Sequence, residues 1–71
     1  MLYRTFMELT PHDIMVAEDI LKEEGIQYLK EWNTQYNLWW VMFMTPTYDV
    51  PARINRAIGI NGTLNGEEVS A

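Results

Sequence analysis

"LWWVMFM", Leu38 to Met44, is the longest apolar run in the chain, and whether it is read as strand or helix decides the fold. Its seven residues hold two of the three tryptophans, two of the five methionines and a phenylalanine of a 71-residue chain. The length suits a strand better than a helix, which typically needs about ten residues or more. Aromatic and β-branched side chains favour a pleated strand. Asn37 and Pro46 bound the run with turn chemistry.

Working outward, "NTQYN" (Asn33–Asn37) is a polar loop of hairpin length. Before it, "IQYLKEW" (Ile26–Trp32) alternates. Ile26, Tyr28 and Trp32 fall on one face, with Lys30 as the exception on that face, and Gln27, Leu29 and Glu31 fall on the other. At the start of the chain, "LYRTFMEL" (Leu2–Leu9) reads as a strand stopped by Thr10-Pro11. Tyr3, Thr5, Met7 and Leu9 share one face. Leu2, Arg4, Phe6 and Glu8 share the other, which is the better candidate for exposure.

"TPHD" opens a helix. Thr10 can accept from orphaned backbone N–H groups, Pro11 suits the first turn, and Asp13 suits the positive end of the dipole. Ile14, Ala17, Ile20 and Leu21 then fall on one side, with Val16 at its margin. Glu18, Asp19, Lys22, Glu23 and Glu24 form a hydrated face, Lys22 being their local partner. Gly25 should end the helix in a left-handed conformation, with Ile26 folding back. A second, shorter helix, "VPARINRAIG", carries Val50, Ile54, Ala57 and Ile58 on its apolar side. Asp49 is its expected cap, and Gly59-Ile60 repeats the stop signal.

The order strand, helix, strand, hairpin, strand, helix implies an α+β domain over residues 1–60. The expected architecture is ferredoxin-like β-α-β-β-α: a three-stranded antiparallel sheet in the order 1-3-2, with two helices on one face. Residues 61–71, "NGTLNGEEVSA", read as a flexible acidic tail, within which Thr63–Asn65 could add a short fourth edge strand.

A central third strand is paired on both sides, so an apolar run is safest there. Two helices cover one face of the sheet only. Of the two sets on this strand, Leu38, Trp40, Met42 and Met44 or Trp39, Val41 and Phe43, one is therefore left outward. The expectation is a protein-binding face anchored by Trp39, Val41 and Phe43 together with Tyr28 and Trp32, because contiguous aromatic patches mark interfaces. Trp40 and Met42 take over if the opposite set faces out.

The remaining composition limits the chemistry. Five basic against ten acidic residues give a net charge of −5, the wrong sign for neutralising phosphates, so neither nucleic acid nor an anionic membrane is the expected partner. An acidic mimic of nucleic acid is a minor alternative. So is an RNA-recognition sheet, since the run lacks the basic and glycine positions of that motif. With no cysteine, a disulfide framework, a thiolate metal site and a thiol nucleophile are all excluded.

The only histidine, His12, has no catalytic partners at hand, and serine occurs only at Ser70. No enzyme activity, cofactor or metal is expected. Arg53 and Arg56, three apart on the second helix, could contact an anion or an acidic partner. The first residues mix Arg4 and Glu8 into the apolar ones and no apolar run reaches membrane-spanning length, so no signal peptide is expected and the expected compartment is the cytoplasm. The glycosylation triplet at Asn61 carries no meaning there.

The succession "TPHDIMVAEDILKEEGI", a hairpin and "VPARINRAI" resembles the small prokaryotic signal-transducing proteins of unknown function with a ferredoxin-like body. The likeness covers Tyr3 to Ile58 and departs in the Trp39-Trp40 pair and the methionine-rich strand. It implies a regulatory or ligand-sensing role. From the residues, the expectation is a non-enzymatic regulatory or adaptor module that works through protein contacts, foremost as a homodimer. The alternatives are a monomeric inhibitor of a larger protein, such as a virus-encoded modulator of a host protein, and a small-ligand sensor.

Overall fold

The computed structural model describes residues 2–59 throughout and residues 63–69 as backbone. In chain order the elements are β1 (Leu2–Leu9), α1 (Pro11–Glu23), β2 (Tyr28–Asn33), β3 (Leu38–Thr45), α2 (Asp49–Ile58) and β4 (Thr63–Val69). The sheet order is β2-β3-β1-β4, and every neighbouring pair is antiparallel. β1 and β2 thus run the same way with β3 inserted between them, which makes α1 the crossover of a split β-α-β unit. The opening heptapeptide is the interior strand that the element order requires.

Each element forms where local chemistry allows it. The Thr10 hydroxyl accepts from the Asp13 N–H at 3.1 Å, and Pro11 occupies the first turn of α1. The helix closes with Gly25 at φ 70°. There the Gly25 N–H donates to the Lys22 carbonyl at 3.1 Å and the Ile26 N–H to the Leu21 carbonyl at 2.9 Å, the paired bonds of a Schellman stop. In the β2-β3 hairpin, the Asn33 side-chain oxygen accepts from the N–H groups of Gln35 and Tyr36, and Asn37 takes the left-handed conformation at φ 55°. An asparagine tolerates that conformation because its short polar side chain compensates locally.

Three expectations are corrected. Asp49 does not cap α2: Tyr48 holds the cap position, and the Thr47 hydroxyl accepts from the Asp49 N–H at 3.4 Å instead. On α2, Ile54 is buried and Val50 and Ile58 pack against the core as expected, but Ala57 is exposed and Pro51 is buried instead. Where a tail with at most a short edge strand at Thr63–Asn65 was expected, Thr63–Val69 runs as the seven-residue strand β4 against β1, from Leu2↔Val69 to Glu8↔Thr63. Backbone pairing to a committed neighbour outweighs the weak strand propensity of a Gly/Asn-containing segment. Ile60, the Asn61-Gly62 part of the glycosylation triplet, and Ser70 lie outside the described residues.

The core lies between the helices and one face of the sheet. Met7, Leu9, Ile14, Ala17, Ile20, Leu21, Val41, Phe43 and Ile54 are buried, and Val16, Ile26, Tyr28, Trp39, Val50 and Ile58 pack against them. On β1 the buried residues are Thr5, Met7 and Leu9, the face expected inward. Their register partners on β3 are Phe43, Val41 and Trp39, so the same rungs fix the inner face of the central strand.

Candidate functional site

The outer face of the sheet is built from the other set of residues on each strand. Counting along the strands, three rungs make up its middle, with Leu38 beside Asn33 beyond one end and Leu2 beyond the other. Glu31, Trp40 and Glu8 form one, Leu29, Met42 and Phe6 the next, and Met44 with Arg4 the third. The Phe6 and Trp40 rings meet edge to face at 5.8 Å, tying the first two rungs together. Leu29 is 68% exposed and Met44 49%, while Phe6, Trp40 and Met42 are half-buried among them. The Trp40 indole N–H is shielded from solvent and has no hydrogen-bond partner among the described residues.

This overturns the expected anchor set. Val41 and Phe43 are buried under the helices at 0% and 3% exposure. The cause is register: Met7↔Val41 and Thr5↔Phe43 place them beside the inward residues of β1. A shift of one residue exchanges the two faces of a strand entirely. Trp39 stands on the same inner side, stacked edge to face with Trp32 at 5.3 Å. Trp32, 37% exposed at the end of that side, is the only member of the expected set with a substantial free surface.

Tyr28 is engaged within the chain. Its hydroxyl donates to the Glu18 carboxylate in a short hydrogen bond, and the Lys30 ammonium lies 3.1 Å from the same carboxylate. Lys30 also sits 4.9 Å from the centroid of the Trp39 ring, a cation–π placement. The Tyr28 hydrogen bond, helped by the Lys30 charge and opposed by burial, holds the Glu18 carboxyl below the usual carboxylate range. In return Glu18 pushes the Tyr28 phenol up to about 12, with burial adding to the effect. Glu18 thus keeps the influence of the nearby Lys22 charge expected on the helix surface and adds a tie from α1 to the edge strand.

The two arginines are separated in role. Arg53 reaches Glu24 at 3.0 Å and Glu23 at 3.1 Å, so its guanidinium fastens α2 to the end of α1. Arg56 is exposed beside a shallow polar cleft of about 500 Å³ that Thr47, Asp49 and Arg53 also line. His12 is exposed in the first turn of α1. Among the described residues, no three His, Cys, Asp or Glu side chains come together as a metal site, and no helix is long and apolar enough to cross a membrane.

At the β2 edge an open cleft of about 790 Å³ is walled by Ile26, Tyr28, Leu29, Met42, Phe43 and Met44. It is continuous through Leu29 and Met42 with a smaller depression of about 360 Å³ beside Phe6, Trp40 and Glu31. These two connected depressions give the outer sheet face and its β2 rim an apolar relief. No protein-family model matches the chain, and no curated protein matches it.

Proposed function

We propose that this chain is a non-enzymatic regulatory or adaptor module of the ferredoxin-like class, and that it acts by docking its outer sheet face onto protein, foremost a second copy of itself. The observation that carries this reading is the contiguous patch of Phe6, Leu29, Trp40, Met42 and Met44 on a sheet whose other face already holds the helices. Leaving one large apolar side chain wet forgoes about 1.5–3 kcal/mol of burial. Covering several together is a sizeable driving force for association. The class assignment is supported by the β-α-β-β-α-β order with β3 between β1 and β2.

Size is compatible with a dimer. Four strands of up to eight residues span roughly 19 by 26 Å, and relief of the side chains brings that face toward the ~800 Å² a side that specific interfaces bury. The β2 edge is a poorer route to self-association. An antiparallel two-fold through it sets Lys30 against Lys30 or Glu31 against Glu31 in its best-overlapping registers, and like charges directly opposite are destabilising.

Sedimentation from low to high micromolar concentration tests the proposal. A dimer is expected for the wild type and a monomer for Leu29→Ser/Met44→Ser, a variant that alters exposed positions only. A wild type that stays monomeric throughout would exclude self-docking. The outer face would then serve another protein or, through the β2-edge cleft, a small ligand.

A further inference from the structure

We infer that the two copies meet with their strands antiparallel across the interface, so that Arg4 of each is laid against Glu8 and the Trp40 ring of the other. This rests on the self-docking reading above and adds its geometry.

On the outer face an apolar rung is bracketed by a rung with acidic flanks and a rung with a basic one, and Leu38 and Leu2 extend the face beyond them. Glu8 and Glu31 flank Trp40 in one rung, Phe6, Met42 and Leu29 fill the middle rung, and Arg4 stands beside Met44 in the third. Among the described residues neither Glu8 nor Glu31 takes part in an ion pair. Arg4 is exposed. Arg4 stands two positions before Phe6 and Glu8 two positions after it, so each charged rung lies about 6–7 Å from the middle rung.

Two face-to-face arrangements with two-fold symmetry keep the apolar rungs in contact. A dyad running along the strands stacks like ends, bringing the Glu8 rung of one copy over the Glu8 rung of the other. A dyad running across the strands, through Phe6 and Met42, exchanges the ends. It puts Arg4 of each copy over Glu8 of its mate, with Trp40 one strand away. Sheets pack about 10 Å apart, a gap that an arginine side chain bridges. Burial in that gap strengthens unlike pairs and penalises like ones, so the crosswise dyad is selected.

Arg4 already makes an interaction within its own chain. A guanidinium fork has donors enough for two carboxylates, as Arg53 demonstrates by holding Glu23 and Glu24 together. The flat cation also suits the face of Trp40.

Charge exchange between two chains provides the test. Arg4→Glu and Glu8→Arg variants are each expected to self-associate more weakly than wild type by on the order of a hundredfold. Mixed one to one, the two variants should form a heterodimer of near wild-type affinity, because each new contact is again between unlike charges. Recovery on mixing also shows that both variants are folded, and Arg4→Gln supplies a milder version if Arg4→Glu alone is unstable.

The arrangement is overturned if Leu29→Ser/Met44→Ser dissociates the dimer while the charge variants leave it intact, or if mixing restores nothing. In either case outer-face docking itself survives. A monomeric wild type, or a dimer indifferent to Leu29→Ser/Met44→Ser, removes the self-docking reading and this inference together.

Discussion

The two faces of β3 should respond to substitution with effects of very different size. Phe43 is 3% exposed and packed under the helices, whereas Met44, the next residue, is 49% exposed on the outer face. Removing a buried phenylalanine ring costs about 3–5 kcal/mol. A chain of 71 residues holds only about 4–10 kcal/mol of total stability. Phe43→Ala should therefore consume much of the available stability and lower the melting temperature by 15 °C or more, at about 4–8 °C per kcal/mol for a domain of this size.

Met44→Ala loses only the part of its side chain that is already shielded, so its intrinsic cost should stay below about 1 kcal/mol. Urea unfolding monitored by far-ultraviolet circular dichroism measures both, and Phe43→Leu serves if the alanine variant does not fold. The measurement is repeated at two protein concentrations, because dimer dissociation contributes a concentration-dependent part and core loss does not. Equal losses for the two variants, or a larger loss for Met44→Ala, would refute the inward placement of Val41 and Phe43 and with it the outer face described above.

Two further outcomes follow from local geometry. The folded Tyr28 phenol titrates near 12 against an ordinary 10.0, so its bond to Glu18 stabilises the fold fully below pH 10 and is lost as pH rises toward 12. The lowered Glu18 carboxyl stabilises above its ordinary value of 4.5 and is lost as pH falls through its folded value. Tyr28→Phe should flatten the alkaline limb of a stability–pH profile and raise the Glu18 pKa seen by NMR; an unchanged profile would show that the bond does not form in solution. Gly25→Ala should cost about 1–2 kcal/mol from the left-handed backbone alone, since an added Cβ meets nothing within 4 Å. Gly25→Asn should recover part of that loss, and equal losses would point to crowding instead.

Much of the local structure was legible because short-range chemistry fixes it. Thr10-Pro11 marks a helix start and Gly25-Ile26 a helix stop through backbone hydrogen bonds that need no tertiary partner. The apolar side of α1 was equally plain, since Ile14, Ala17, Ile20 and Leu21 recur at helical spacing and are the residues found buried. The cap of α2 was less so, because Thr47 and Asp49 are both chemically able to serve there, and only the path of the chain out of β3 decides between them.

By itself the sequence determined that Leu38–Met44 is a strand, that it is interior, and that one greasy face of it must be left over. It also marked Tyr3, Thr5, Met7 and Leu9 as the inner side of β1, because the other side carries Arg4 and Glu8. It could not say which side of β3 is inner, since both of its alternating sets are large and apolar and a period of two distinguishes sides only when they differ. The tertiary structure decides it by pairing Leu9 with Trp39 and Met7 with Val41, which transfers the polarity of β1 to its ambiguous neighbour. Strand β4 was legible only as a short edge at Thr63–Asn65 for a related reason: its residues have little preference of their own, and the free backbone edge of β1 supplies the hydrogen bonds that make it a full strand.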